Sequence, residues 1–214
     1  MICTMSGTGF SREASSKVTL NQHADLESRY VNSPLVEVDA DALEVEIDLI
    51  YAGADNLAGK QIYQDPRCLL HRDAERCLRK ASTLARQAGL RLRVFDAYRP
   101  AYAQYLLWQA LPNPEYVRDP SLGSHHTRGV AVDLTLIDAS GKALDMGTGF
   151  DDMREHSHQF FADLPAEVQR NRLLLLGIML AAGFTYIDSE WWHYELPEAD
   201  AYPLIDDGSV GPAG

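Results

Sequence analysis

Two segments of the chain carry residues suited to hydrolysis at a metal ion. One is Gly123-Ser124-His125-His126-Thr127-Arg128-Gly129-Val130-Ala131-Val132-Asp133, and the other is Glu190-Trp191-Trp192-His193. Together they offer imidazoles, a carboxylate ligand and a spare carboxylate. Zinc takes nitrogen and oxygen ligands tetrahedrally, and a hydrolytic site keeps the fourth position for water. Two His and one Asp leave that position open, and the bound cation brings the pKa of water towards neutrality. Spacing alone does not choose between His125 and His126. A turn at Arg128-Gly129 brings His126 back towards a strand that holds Asp133. Glu190 and His193 are three residues apart, so an ideal strand points them to opposite faces. A bend before His193 is therefore required if both are to face one ion. His156 and His158 are an alternative pair without a nearby carboxylate in a clear framework, and His23 and His71 read as surface residues. Trp191 and Trp192 suit a core or a pocket wall.

The elements that must position these residues follow from periodicity. Val45, Ile47, Leu49 and Tyr51 alternate with mostly acidic neighbours, as in a strand with one buried face. Ala74, Cys77, Leu78, Ala81, Leu84, Ala85 and Ala88 recur at three and four residues and predict a helix from about 72 to 88, stopped by Gly89. A short strand ends near Asp96, and Pro100 opens a helix to about Ala110. Val130 to Ile137 reads as a strand followed by a turn at 138–142. Residues 150–164 show no clear pattern. Pro165 opens a long helix to about Ala182, closed by Gly183, and short strands are expected near 184–188 and 191–195. The mixed order predicts an α+β fold, with helices packed on a small, mainly antiparallel sheet.

Composition sets limits on function. The chain has 214 residues, 46% hydrophobic and 23% charged, as in an ordinary globular protein with room for a real core. Residues 1–33, rich in Ser, Thr, Asn and Gly, read as a flexible extension, 34–205 as the working domain and 206–214 as a tail. A formal charge of −12 argues against binding nucleic acid or an anionic membrane and is compatible with a small zwitterionic partner. The three cysteines, Cys3, Cys68 and Cys77, do not form a secreted disulfide framework. The amino terminus lacks the pattern of a signal peptide, so a cytoplasmic location is expected. A homo-oligomer stays open.

Ser124-His125-His126-Thr127-Arg128-Gly129-Val130-Ala131-Val132-Asp133 fits Ser-x-His-x-x-Gly-x-Ala-x-Asp, and Glu190-x-x-His193 follows downstream. With Tyr51-Ala52, Asp55-Asn56, Asp96-Ala97-Tyr98-Arg99-Pro100, Asp145-Met146-Gly147 and Phe150-Asp151, the chain resembles the zinc D-alanyl-D-alanine dipeptidases, over roughly residues 43 to 204. The resemblance implies one zinc per chain on His126, Asp133 and His193, which selects His126 over His125. It implies Glu190 as catalytic base and Arg99 as a transition-state contact. By resemblance and charge, Asp151 is the candidate for the ammonium of a D,D-dipeptide, and Ser124 is a candidate hydrogen-bond donor to substrate or ligand. A fold shared with zinc D,D-carboxypeptidases and the hedgehog signalling domain is also implied. The competing functions are a zinc D,D-carboxypeptidase or peptidoglycan endopeptidase on the same scaffold, and a non-catalytic zinc-containing binding domain. The uncoordinated Glu190 speaks against the last.

Overall fold

The structure is a computed structural model that describes residues 34–206. The expected extension over 1–33 and nearly all of the expected tail lie outside those residues. The strands are β1 (Leu35–Glu37), β2 (Glu46–Ile47), β3 (Leu69–His71), β4 (Arg91–Asp96), β5 (Ala131–Ile137), β6 (Thr185–Tyr186) and β7 (His193–Glu195). The helices are α1 (Ala40–Leu43), α2 (Arg72–Gln87), α3 (Ala101–Ala110) and α4 (Ala166–Ala182). A five-stranded sheet runs β2-β4-β5-β7-β6, and β1 and β3 form a separate pair. Only β2 and β4 run parallel in the large sheet; its other neighbours are antiparallel. The α+β class expected from sequence is what the chain adopts.

Alternation explains the sheet's two faces. Leu92 and Val94 on β4, Val132, Leu134 and Leu136 on β5 and Tyr194 on β7 are fully buried and belong to one hydrophobic cluster. Helix α4 packs against α2 and β5, and Leu175 and Met179 join the same cluster. The long helices match the periodic reading. Pro165 stands immediately before α4, and Gly183 ends it at φ +113°, a backbone region open to glycine at little cost. His71, expected at the surface, is half-buried and accepts a hydrogen bond from the Asp73 N–H at the start of α2 (3.2 Å).

The strand expected over 43–51 is much shorter. Only Glu46 and Ile47 pair with β4, and the chain then coils into a single 3-10 turn at Ile50–Ala52. The alternating apolar residues are nonetheless inside: Val45, Leu49 and Tyr51 are all buried. The period reported burial rather than pairing. The pairs β1 and β3 were not foreseen, because three-residue strands give too few positions to show a period.

Two departures from regular geometry aim residues at one end of the sheet. Between Val94 and Asp96 the β4–β5 register shifts, so that Asp96 faces Asp133 where Phe95 otherwise stands. A bulge of this kind turns a side chain to the other face, and it places Asp96 beside Asp133 instead of in the core with Leu92 and Val94. The second is Gly129, at φ +70°, which closes the 3-10 turn His126–Arg128 just before β5. A Cβ there would lie 2.6 Å from Leu35 Cδ2 and 3.0 Å from the His71 nitrogen. Gly129→Ala should therefore lower stability by about 1–3 kcal/mol, the usual scale of left-handed backbone strain. Urea unfolding of the two proteins reads this directly, and an unchanged midpoint would contradict the strained turn.

Candidate active site and metal centre

Three adjacent strands and the loops entering them supply the site. Asp133 on β5 is paired directly opposite His193 on β7, so their side chains share the face away from the core. The 3-10 turn before β5 presents His126, and the bulged end of β4 leads into Arg99. Glu190 precedes a tight turn in which the His193 N–H donates to the Glu190 carbonyl (3.3 Å). That turn is the bend that the three-residue spacing required. It brings Glu190 Oε2 to 4.0 Å from His193 Nδ1.

The donor atoms converge as a metal site demands. His126 Nε2 lies 3.3 Å from His193 Nδ1 and 3.3 Å from Asp133 Oδ2, and His193 Nδ1 lies 3.0 Å from Asp133 Oδ1. Metal–ligand distances of about 2.0–2.1 Å at tetrahedral angles put ligand atoms about 3.3 Å apart, so the three fit a single ion. All three residues are buried, and they form the one such His/Cys/Asp/Glu group among the described residues. His125, adjacent in sequence, points elsewhere, and His156 and His158 do not join a metal-binding group.

Each imidazole is oriented from behind. His126 Nδ1 donates to the Ala97 carbonyl (2.7 Å), which leaves Nε2 with its lone pair towards the cluster. His193 Nε2 donates to Glu195 Oε2 (2.9 Å), which leaves Nδ1. The same Glu195 oxygen accepts from His125 Nδ1 (2.5 Å). Fixing the second ring nitrogen in this way sets tautomer and ring plane. Electrostatics agree with a place for positive charge. Burial opposes the His193 imidazolium, but hydrogen bonds to Asp133 and Glu195 and the nearby carboxylates outweigh it and raise its pKa to about 10. Asp133 is likewise opposed by burial, yet its histidine partners hold it below the usual carboxylate range.

Around the cluster lies a cavity of about 340 Å³. Glu190, 8% exposed, is pushed up to about 8, chiefly by burial. Arg99 is buried, with Nε and Nη2 on Asp96 Oδ2 (2.9 and 2.6 Å) and Nη1 on Gln104 Oε1 (2.9 Å). Its Nη2 is 3.8 Å from Asp133 Oδ2. Arg99 is thus braced by an ion pair and also lines the cavity. Asp96 also accepts from the Ala97 N–H and the Tyr63 hydroxyl. Asp151 accepts from the Tyr51 hydroxyl through both oxygens (3.0 Å each), and burial pushes it up to about 7. It sits at φ +59°, a strained conformation for a non-glycine residue. Ser124 lines the cavity and its Oγ accepts from the His126 N–H (3.2 Å), so it also supports the turn that presents His126. Trp191 donates to Thr148 Oγ1 (2.8 Å), whereas Trp192 packs edge-on to Phe150 and reaches the cavity wall.

Sequence reasoning passed over three residues. Glu195 is two positions beyond His193 on the same strand face, a signal available from alternation. Arg172 lies buried on α4 and donates to the carbonyls of Met146 (2.8 Å), His158 (2.7 Å) and His156 (2.7 Å). It thereby holds the loop that carries Asp151. Nothing in the local sequence marks an arginine in a helical apolar run as turning inward. Gln104, on α3, is the third.

This chemistry, a buried donor set for one cation with an uncoordinated carboxylate alongside, places the molecule among the metallopeptidases. Relatives narrow the class. The Peptidase_M15 model, described as D-ala-D-ala dipeptidase, matches residues 32–207, and the chain belongs to that family. It is 56% identical over 164 residues to the D-alanyl-D-alanine dipeptidase of Escherichia coli, covering 77% of this chain and 85% of that protein. It is 33% identical over 180 residues to the enzyme of the same name from Enterococcus faecium, covering 74% and 89%. With that from Streptomyces coelicolor the identity is 34% over 179 residues, covering 72% and 89%.

Replacing the residue behind a metal-binding imidazole weakens metal affinity by about 10- to 100-fold. Glu195→Gln should show a loss of that size for zinc in competition with a chromophoric chelator. Affinity equal to that of the parent protein would show that Glu195 does not orient His193.

Proposed function

We propose that the chain hydrolyses D-alanyl-D-alanine to two molecules of D-alanine, with zinc held by His126 Nε2, Asp133 and His193 Nδ1. The observation that carries this reading is the near-tetrahedral spacing of those three donors with Glu190 beside them, in a cavity near the small end of the range for small-molecule sites, about 300–1,000 Å³. Family membership and the names of the relatives supply the dipeptide. When bound, zinc supplies a Lewis acid for the peptide carbonyl and acidifies its water.

The remaining steps belong to the protein. Glu190 takes a proton on its carboxylate from the attacking water and returns one to the leaving amine. Its raised pKa suits a group that must both accept and give a proton near neutrality. The Arg99 guanidinium, fixed by Asp96 and Gln104, faces the negative charge that grows on the former carbonyl oxygen. A charge held in place before the reaction costs no reorganisation during it. Asp151, with the Tyr51 hydroxyl, meets the free ammonium, and the Ser124 hydroxyl donates to the substrate. No helix among the described residues is long and apolar enough to cross a membrane. A cytoplasmic setting, where the free dipeptide rather than the wall polymer is at hand, completes the proposal.

Release of D-alanine from three substrates by the zinc-loaded protein tests the function. D-Ala-D-Ala should be cleaved, while a longer peptide ending in D-Ala-D-Ala and L-Ala-L-Ala should not. Preferential cleavage of the longer peptide would favour a D,D-carboxypeptidase instead. Glu190→Ala should lower kcat at least about 100-fold, the lower end of acid–base catalysis, with zinc content by elemental analysis unchanged. Near-normal turnover in that variant would remove Glu190 from the reaction.

A further inference from the structure

The proposed substrate carries a carboxylate one residue beyond the bond to be cleaved. Drawing that charge into a cavity is costly unless a cation or several donors meet it. Two arginines line the cavity, Arg99 and Arg118. Arg99 is committed to Asp96 and Gln104, as described above. Arg118 is placed differently. Its Nη1 donates to His125 Nε2 (2.7 Å) and its Nη2 to Asp200 Oδ1 (3.0 Å). A guanidinium has five N–H groups in a planar fork suited to carboxylates. The other N–H groups of Arg118 have no partner among the described residues, and its side chain is 36% exposed.

The main chain of Arg118 is nonetheless fixed. Its carbonyl accepts from Gln104 Nε2 (2.6 Å), and Gln104 Oε1 accepts from Arg99 Nη1 (2.9 Å). Gln104 is buried, so one amide sets both arginines relative to each other. The two reach the donor cluster through different contacts. Arg99 stands near Asp133 Oδ2 and over the Tyr51 ring, whose hydroxyl bonds Asp151. Arg118 is reached from His193 through Glu195 and His125. Asp200, 66% exposed, already sets one carboxylate oxygen on its Nη2.

We propose that Arg118 receives the C-terminal carboxylate of the dipeptide, opposite in charge and in role to Asp151. The assignment rests on the dipeptidase reading above. Selection of a free dipeptide then has two charged ends: an acid for the ammonium and an arginine for the carboxylate. Asp200 yields its place on the fork to the substrate and returns to solvent.

The test compares D-Ala-D-Ala with its C-terminal amide, using zinc-loaded wild type, Arg118→Ala and Arg118→Lys. The wild type should prefer the acid. Arg118→Ala should lose about ten- to a hundredfold in kcat/KM on the acid, the range for a charged hydrogen bond. The loss should fall mainly in KM and should spare the amide, so that the preference collapses. Arg118→Lys should keep part of it. Equal losses on both substrates would show that Arg118 merely braces His125 and Glu195, and would overturn the assignment. So would a wild type that does not distinguish acid from amide. A wild type that cleaves neither substrate removes the dipeptidase reading itself, and the assignment with it.

Discussion

Two imidazole lone pairs and a carboxylate meet within about 3.3 Å of one another inside this protein, and nothing in the fold separates them. Such a convergence is unfavourable unless positive charge sits in the middle, because buried donors of like polarity repel and have lost their water. The surrounding structure accommodates that demand. Main-chain and carboxylate acceptors hold the outer ring nitrogens, so both lone pairs stay turned inward. The high pKa of His193 and the low pKa of Asp133 express the same need in protonic form.

The sheet separates stability from chemistry. One face of β4, β5 and β7 is packed under α2 and α4 with fully buried aliphatic residues. The other face, at one end, carries Asp133, His193 and Glu195, with Asp96 added by the bulge. Rigid strands thus fix Asp133 and His193, a 3-10 turn presents His126, and loops carry Arg99, Ser124 and Asp151 to the cavity wall. The Asp151 loop shows what that costs: a left-handed residue kept in place by Tyr51 and by three carbonyl contacts from Arg172. Arg172 forms no ion pair among the described residues, and burial, only partly offset by Tyr194 and Asp145, lowers its pKa to about 10.

Much of this was legible in the chain. The long helices and β5 have enough residues to display a period, and Pro165 and Gly183 mark the limits of α4. The cluster of His126, Asp133 and His193, with Glu190 beside it, could be picked out because these four residues occur in an ordered motif set. Between His125 and His126 the spacing was silent; the choice is made in space by the turn closed at Gly129 and by the Ala97 carbonyl. The strand expected over 43–51 shrank to two residues, since alternation records which side chains are inside and not which backbone groups are paired. Gln104 and Arg172 escaped notice because the main-chain carbonyls that they hold lie 14 to 26 residues away. No local pattern encodes such contacts.

X-ray absorption spectroscopy of the protein carrying one equivalent of zinc bears most directly on the convergence of the three donors. Two imidazole nitrogens at about 2.0–2.1 Å and carboxylate oxygen at about 2.0–2.2 Å are expected, with one imidazole signal lost in His193→Ala. A sulfur shell, or a spectrum unchanged by that substitution, would contradict a centre built on His126, Asp133 and His193.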